Sequence, residues 1–235
     1  MTSPTTPWQP LTVADATALG WTGGPYMFAN ATRAYSEWRL VTNDQRAYLG
    51  LTLKWMNERF DAVWNAIGEG PVPENGLEQI DLFDQQVGIE PQDWEWMLFA
   101  SVVRDAVTAY EVYVVKAYLE VVEFQEGDYK HDEDAPRFAV ARKQSKILGL
   151  EVRPQSVDDV FALRNVLTHQ RGQLRTEKDR AEYGDKSSPW SSIVAHLDEA
   201  RVLSLLDVLE ASVMNLDPIY WAHTWGKQPA PAVKA

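Results

Sequence analysis

The segment from about residue 92 to residue 125 constrains the fold most. Pro91 opens it, and its apolar side chains occupy several faces of a helix rather than one stripe. Such a helix must be buried among other helices. At 1.5 Å per residue it is roughly 50 Å long. A chain of 235 residues that carries one such helix needs several partners to cover it. We find no run of alternating apolar and polar residues bounded by hairpin turns. The expected class is therefore all-α.

Further helices follow from spacing. Met27 to Leu40 and Asp44 to Ile67 read as two helices, with Asn43 or Asp44 as the cap between them and Gly68 as the stop. Residues 11–19 read as a short first helix and Gly20 to Pro25 as a turn cluster. Residues 68–92 read as a linker punctuated by glycine and proline, with one helical turn near Leu82 and Phe83. Ser156 is the expected cap of a helix that runs to about Tyr183, after Pro154 and with Asp159 at the capping-box position. A last helix is expected over about 191–215. The organisation expected is a helical N-terminal region over 1–90, a helical bundle over 91–225 and a flexible tail over 226–235.

Composition narrows the chemistry. There is no cysteine, which excludes a disulfide framework, a thiolate zinc site, an iron–sulfur cluster and a cysteine nucleophile. The four histidines, His131, His169, His196 and His223, include no pair at a close helical spacing. No metal site and no cofactor are expected. The opening MTSPTTPWQP is polar and proline-rich, and no apolar run reaches the length of a membrane span. The expected location is the cytoplasm, with no membrane partner. The chain carries a net −12, which counts against a broad non-specific nucleic-acid binder. Residues 137–180 depart from that balance. They hold ten basic side chains against five acidic ones, a local +5.

Within that basic strip lies Arg164-Asn165-Val166-Leu167-Thr168-His169-Gln170-Arg171-Gly172. As residue types, these suit phosphate chemistry. A histidine titrates near neutrality and can accept or supply a proton. An arginine can hold a phosphorane charge through two donors at once. An asparagine can orient either of them through its amide. On one helix, positions five apart differ by about 140° around the axis. Arg164 and His169 thus converge on one phosphate most easily in a groove made with a second chain. Arg171 and Arg175, seven and eleven residues after Arg164, would share its side of a continuous helix and extend a phosphate track. Arg104, Thr108 and Glu111 form a polar stripe on the long helix. There Glu111 is a candidate to orient Arg164 or to pair with Arg104.

The pattern Arg-polar-x-x-x-His on the third main helix of a bundle resembles the signature of HEPN domains (higher eukaryotes and prokaryotes nucleotide-binding). Arg164, Asn165 and His169 fill its three slots, and His169-x-x-Gly172 resembles the continuation seen in many members. The preceding long helix, with Tyr110-Glu111 in TAYEVYVVKAYLE, is similar to the family's second bundle helix. The resemblance covers about residues 92–215. It implies a HEPN-like bundle and a metal-independent endoribonuclease, often a toxin or an anti-phage effector. It also implies a homodimer whose two motifs face one cleft. The RNA 2′-hydroxyl would attack, leaving a 2′,3′-cyclic phosphate and a 5′-hydroxyl. Arg164, Asn165 and His169 would be catalytic, with Arg171 and Arg175 binding RNA and Glu111 and Arg104 in support. The partners expected are RNA, a second copy of the chain, and an antitoxin or regulatory partner. The competing expectation is a non-catalytic helical dimer that binds a partner protein or a nucleotide. His196 in HLDE reads as a helix start, and His223 in YWAHTW as C-terminal packing.

Overall fold

The computed structural model describes residues 31–68, 79–185 and 193–224. The short helix expected over 11–19, the turn at Gly20 to Pro25 and the tail over 226–235 lie outside the described residues, as do residues 69–78 of the linker. Among the described residues there are seven α-helices and no strand, so the chain is all-α. In chain order they are α1 (Arg33–Gly68), α2 (Gln79–Val87), α3 (Pro91–Glu126), α4 (Phe138–Ile147), α5 (Gln155–His169), α6 (Glu177–Tyr183) and α7 (Glu199–His223). A 3-10 turn covers Asp132–Asp134. Among the described residues no helix is long and apolar enough to cross a membrane.

Several expectations need correction. α5 begins at Gln155, so Ser156 lies inside it and is not its cap, and the helical turn expected near Leu82 and Phe83 is the nine-residue α2. The two helices read over Met27 to Leu40 and Asp44 to Ile67 are one, because α1 runs through Asn43 and Asp44 without a break. Thr42 is buried there, as are Trp38 and Leu49 on either side, so packing overrides a weak capping preference. The helix expected to reach Tyr183 stops at His169, and Glu177–Tyr183 forms a separate helix capped by Thr176. Thr176 and Asp179 exchange hydrogen bonds in a capping box. The last helix begins at Glu199 and extends to His223, past the expected end near 215. Asp198 caps it by accepting from the Arg201 N–H (2.7 Å), so HLDE is a helix start.

The described residues fall into two compact units, neither of them a single stretch of chain. The first unit comprises residues 31–42, 106–162 and 205–224; the second comprises 43–68, 79–105, 163–185 and 193–204. The sequence boundary read at residue 90 lies inside the second unit. The basic strip is divided as well: Arg137, Arg142, Lys143, Lys146 and Arg153 belong to the first unit, and Arg164, Arg171, Arg175, Lys178 and Arg180 to the second.

The first unit is organised around the start of α1. A helix begins with N–H groups that have no partner in the helix itself. Here each finds an oxygen. The Thr32 N–H donates to Asp217 (3.3 Å), Arg33 and Ala34 donate to Glu120 (3.0 and 2.7 Å), and Tyr35 donates to the Thr32 hydroxyl (2.9 Å). The Thr32 hydroxyl donates in turn to Asp217, which also accepts from Tyr113 (3.3 Å). Two carboxylates thus meet the positive end of the helix dipole in a buried setting, where such an arrangement stabilises most. Buried tyrosines continue the polar network. Tyr110 donates to the Val152 carbonyl (2.6 Å) and meets Ser212 (2.8 Å), while Tyr220 meets Ser145 (2.6 Å). His223 is fully buried, as C-terminal packing requires.

Glu120 is 7% exposed, and burial pushes its carboxyl up to about 7 against the pull of the Ala34 and Arg33 amides and the Arg33 guanidinium. Its folded value lies above the unfolded one. The folded state therefore holds more protons between about pH 4.5 and about pH 7, and stability falls as pH rises through that window. Thermal melts of the wild type should show a midpoint that drops from about pH 5 to about pH 8. In Glu120→Gln that drop should be visibly smaller. An unchanged pH slope in the variant would remove Glu120 from this role.

Candidate functional site

The second unit holds the Arg-Asn-x-x-x-His segment on the last turns of α5. Phe60, Val63 and Ile67 of α1 pack on Phe83 of α2, with Met56, Leu82, Val87 and Trp94 around them. Leu163, Val166 and Leu167 of α5 are buried, so the intervening positions face outward. Arg164 is half-buried, and Asn165 and His169 are exposed.

Arg164 Nη1 donates to Asn165 Oδ1 at 3.4 Å, a long bond that nonetheless brings two of the three motif side chains together. His169 is the last residue of α5.

The chain leaves α5 by an unusual route. Arg171 and Gly172 both adopt left-handed backbone, with φ of 52° and 75°. The Val166 carbonyl accepts from Gln170 and from Gly172, 3.1 Å each, which closes the helix end. Gly172 is required twice over. Its φ suits glycine, and a Cβ there would overlap Cζ2 of Trp96 and come within 2.7 Å of Cη2. The Trp96 indole N–H donates to the Ala195 carbonyl (2.8 Å), and the Ala195 N–H donates to the Gly172 carbonyl (2.8 Å). Leu174 donates to Ile193 (2.7 Å), and Gln173 pairs with Val194 in an isolated antiparallel bridge. The glycine of His-x-x-Gly thus has a packing cause in this chain.

This route alters the place of two candidates. Arg171 and Arg175 do not continue the Arg164 side of a helix, because α5 has already ended. Both are exposed. Left-handed backbone costs a non-glycine residue roughly 1–2 kcal/mol. Arg171 carries that cost at a position where glycine is the usual residue.

Arg171 instead joins Arg104 in one cleft of about 610 Å³, also lined by Tyr48, Trp94, Trp96, Met97 and Thr168. Arg104 is exposed and its Nε donates to the Ala100 carbonyl (3.1 Å). Glu111, half-buried, belongs to the first unit. A second cleft of about 740 Å³ shares Arg171 and Trp96 but is acidic, with Asp93, Glu95, Asp185, Asp198 and Glu199 in its lining. It also contains His196, whose Nε2 lies 3.1 Å from Asp198. Backbone and side-chain hydrogen bonds from Arg201 and His196 hold the Asp198 carboxyl below its ordinary range.

Sequence reasoning missed the Trp96–Gly172 contact and the aromatic cleft. The contact joins residues 76 positions apart, and the cleft gathers residues as distant as Tyr48 and Arg171. The signal present was Gly172 itself, a helix stop that also completes the motif.

Comparison with protein-family models, with curated proteins and with solved structures finds no match to this chain.

The Gly172 geometry gives a stability test. Gly172→Ala should cost about 2–4 kcal/mol, since it adds a clash with a ring to backbone strain. Gly88→Ala should cost only about 1 kcal/mol, because Gly88 has a similar φ of 76° but open space where its Cβ would stand. Equal losses in denaturant titrations would show that Trp96 yields and that the contact is not restrictive.

Proposed function

We propose that this chain is a metal-independent endoribonuclease of the HEPN type that acts as a homodimer, in the role of a toxin or anti-phage effector. The observation that carries this reading is the state of the motif. Arg164 bonds Asn165, and Asn165 and His169 are exposed within the last turns of one helix. A purely structural role would more often bury Asn165 and His169. The chemistry they offer is self-sufficient for transesterification. His169 takes the proton of the 2′-hydroxyl, whose oxygen attacks the adjacent phosphorus and displaces the 5′-oxygen of the next nucleotide. The histidine of the second copy returns a proton to that leaving oxygen. Arg164 neutralises the phosphorane, and Asn165 fixes the guanidinium. The angular offset of about 140° between positions five apart is what calls for a second copy, since one helix cannot present both groups to one phosphate from the same side.

A helical dimer that binds nucleotide or protein without cleaving is the competing reading, and the net −12 favours it. One experiment separates them. The wild type should cleave total RNA or tRNA in excess EDTA and leave 2′,3′-cyclic phosphate ends. His169→Ala should abolish cleavage while shifting stability by no more than about 0.5 kcal/mol, because the side chain is exposed. Arg164→Lys should lose most of the rate as well, because lysine keeps the charge but not the two-pronged donor geometry. Equal cleavage by wild type and His169→Ala would place the activity elsewhere or in a contaminant. Absence of cleavage in all three would favour the binding module.

A further inference from the structure

The cleft beside the motif has a composition that the rest of the chain does not lead one to expect. In a protein of net −12, the charged side chains among the described residues lining it are Arg104 and Arg171. Its other walls are aromatic, apolar or hydroxyl-bearing, the last from Thr52, Ser101 and Thr168. Tyr48 is 55% exposed and Met97 57% exposed, and Trp94 presents a half-buried indole anchored edge-on against Phe60. Thr168, the residue before His169, lines it too, so the cleft borders the motif. The acidic cleft that shares Arg171 would repel the same anion. At about 610 Å³ the cleft is within the size range of small-molecule sites.

Arg171 adds an independent observation. Its left-handed backbone is strained for any residue with a Cβ, and glycine would relieve the strain. Strain of this kind persists where a side chain is needed for another purpose. The guanidinium is delivered to a cleft wall by a backbone that would be more stable without it.

We propose that this cleft binds one nucleotide unit of single-stranded RNA next to the scissile phosphate. The phosphate lies against Arg171 and Arg104, and the base stacks on Tyr48 and Trp94. Flat aromatic faces accept any base, and guanidinium groups hold the phosphate, which is how single strands are gripped without sequence readout. This assignment rests on the ribonuclease reading for its choice of RNA, and it gives the substrate class as an unpaired strand.

The test uses the full chain and a fluorescein-labelled 2′-O-methyl single-stranded oligonucleotide, which cannot be cleaved through a 2′-hydroxyl. Fluorescence anisotropy should report salt-dependent binding by the wild type. Arg171→Gly should bind roughly tenfold more weakly, and its salt slope should fall by about 0.7. The same variant should melt a few degrees higher, because strain is relieved. Tyr48→Ala should bind roughly fivefold more weakly. Unchanged affinity in Arg171→Gly, or a lower melting temperature in that variant, would overturn the proposal. So would competition by free mononucleotide as effective, per nucleotide, as competition by the polymer, since the site would then serve a free nucleotide. Failure of the two readings is distinguishable. Arg171-dependent binding without cleavage of unmodified RNA keeps the cleft and removes the nuclease. Cleavage with Arg171-independent binding keeps the nuclease and removes the cleft.

Discussion

The indole of Trp96 occupies the space where a side chain on residue 172 would stand, and the placement of the candidate site follows from that contact. Only glycine permits it. With Gly172 in left-handed backbone, α5 must end at His169, and the chain turns toward Ala195 through paired backbone bonds. The indole then uses its own N–H on the Ala195 carbonyl, so a half-buried donor is satisfied by the segment it packs against. A helix terminus, a tryptophan rotamer and a return segment are thereby determined together. Arg164, Asn165 and His169 inherit a defined position at the end of a helix, and Arg171 is delivered to the cleft lined by Trp94 and Trp96.

The first unit solves a different problem by similar means. Its difficulty is the start of α1, whose free N–H groups are buried and cannot turn to water. Asp217 and Glu120 answer it from α7 and α3, and Thr32 completes the cap. Carboxylates are costly to bury, and burial pushes the Glu120 carboxyl up to about 7; the helix dipole offsets part of that cost. The buried acids of this unit thus have structural work that accounts for them without catalysis.

Legibility in the sequence varied with how local the cause was. The long helix expected over 92–125 runs from Pro91 to Glu126, because its apolar content and its proline start act within the segment. The helix start read in HLDE holds for the same reason, with Asp198 as the cap. The break read at Asn43 and Asp44 does not occur, since burial of Trp38, Thr42 and Leu49 outweighs a preference of about 1 kcal/mol. The continuous helix read to Tyr183 ends early, although Gly172 stood in the sequence as a stop; as part of a motif it concealed its other meaning. Arg171 and Arg175 were assigned a helical side they do not have. The grouping of Arg171 with Arg104 instead crosses 67 positions and two helices.

By itself the sequence determined that this chain is helical, where its long buried helix over Pro91–Glu126 lies, and that no chemistry of this chain runs on a cysteine thiolate. These follow from side-chain periodicity and residue type, which are properties of neighbouring residues. Tertiary structure alone decided that the described residues form two units, each drawn from several stretches of chain, that α5 stops at His169, and that two arginines share a cleft with aromatic side chains. Those outcomes depend on close approach between distant segments. Such approach is governed by the volume left for a side chain and by the partners available to buried polar groups, and neither quantity exists until the chain has folded.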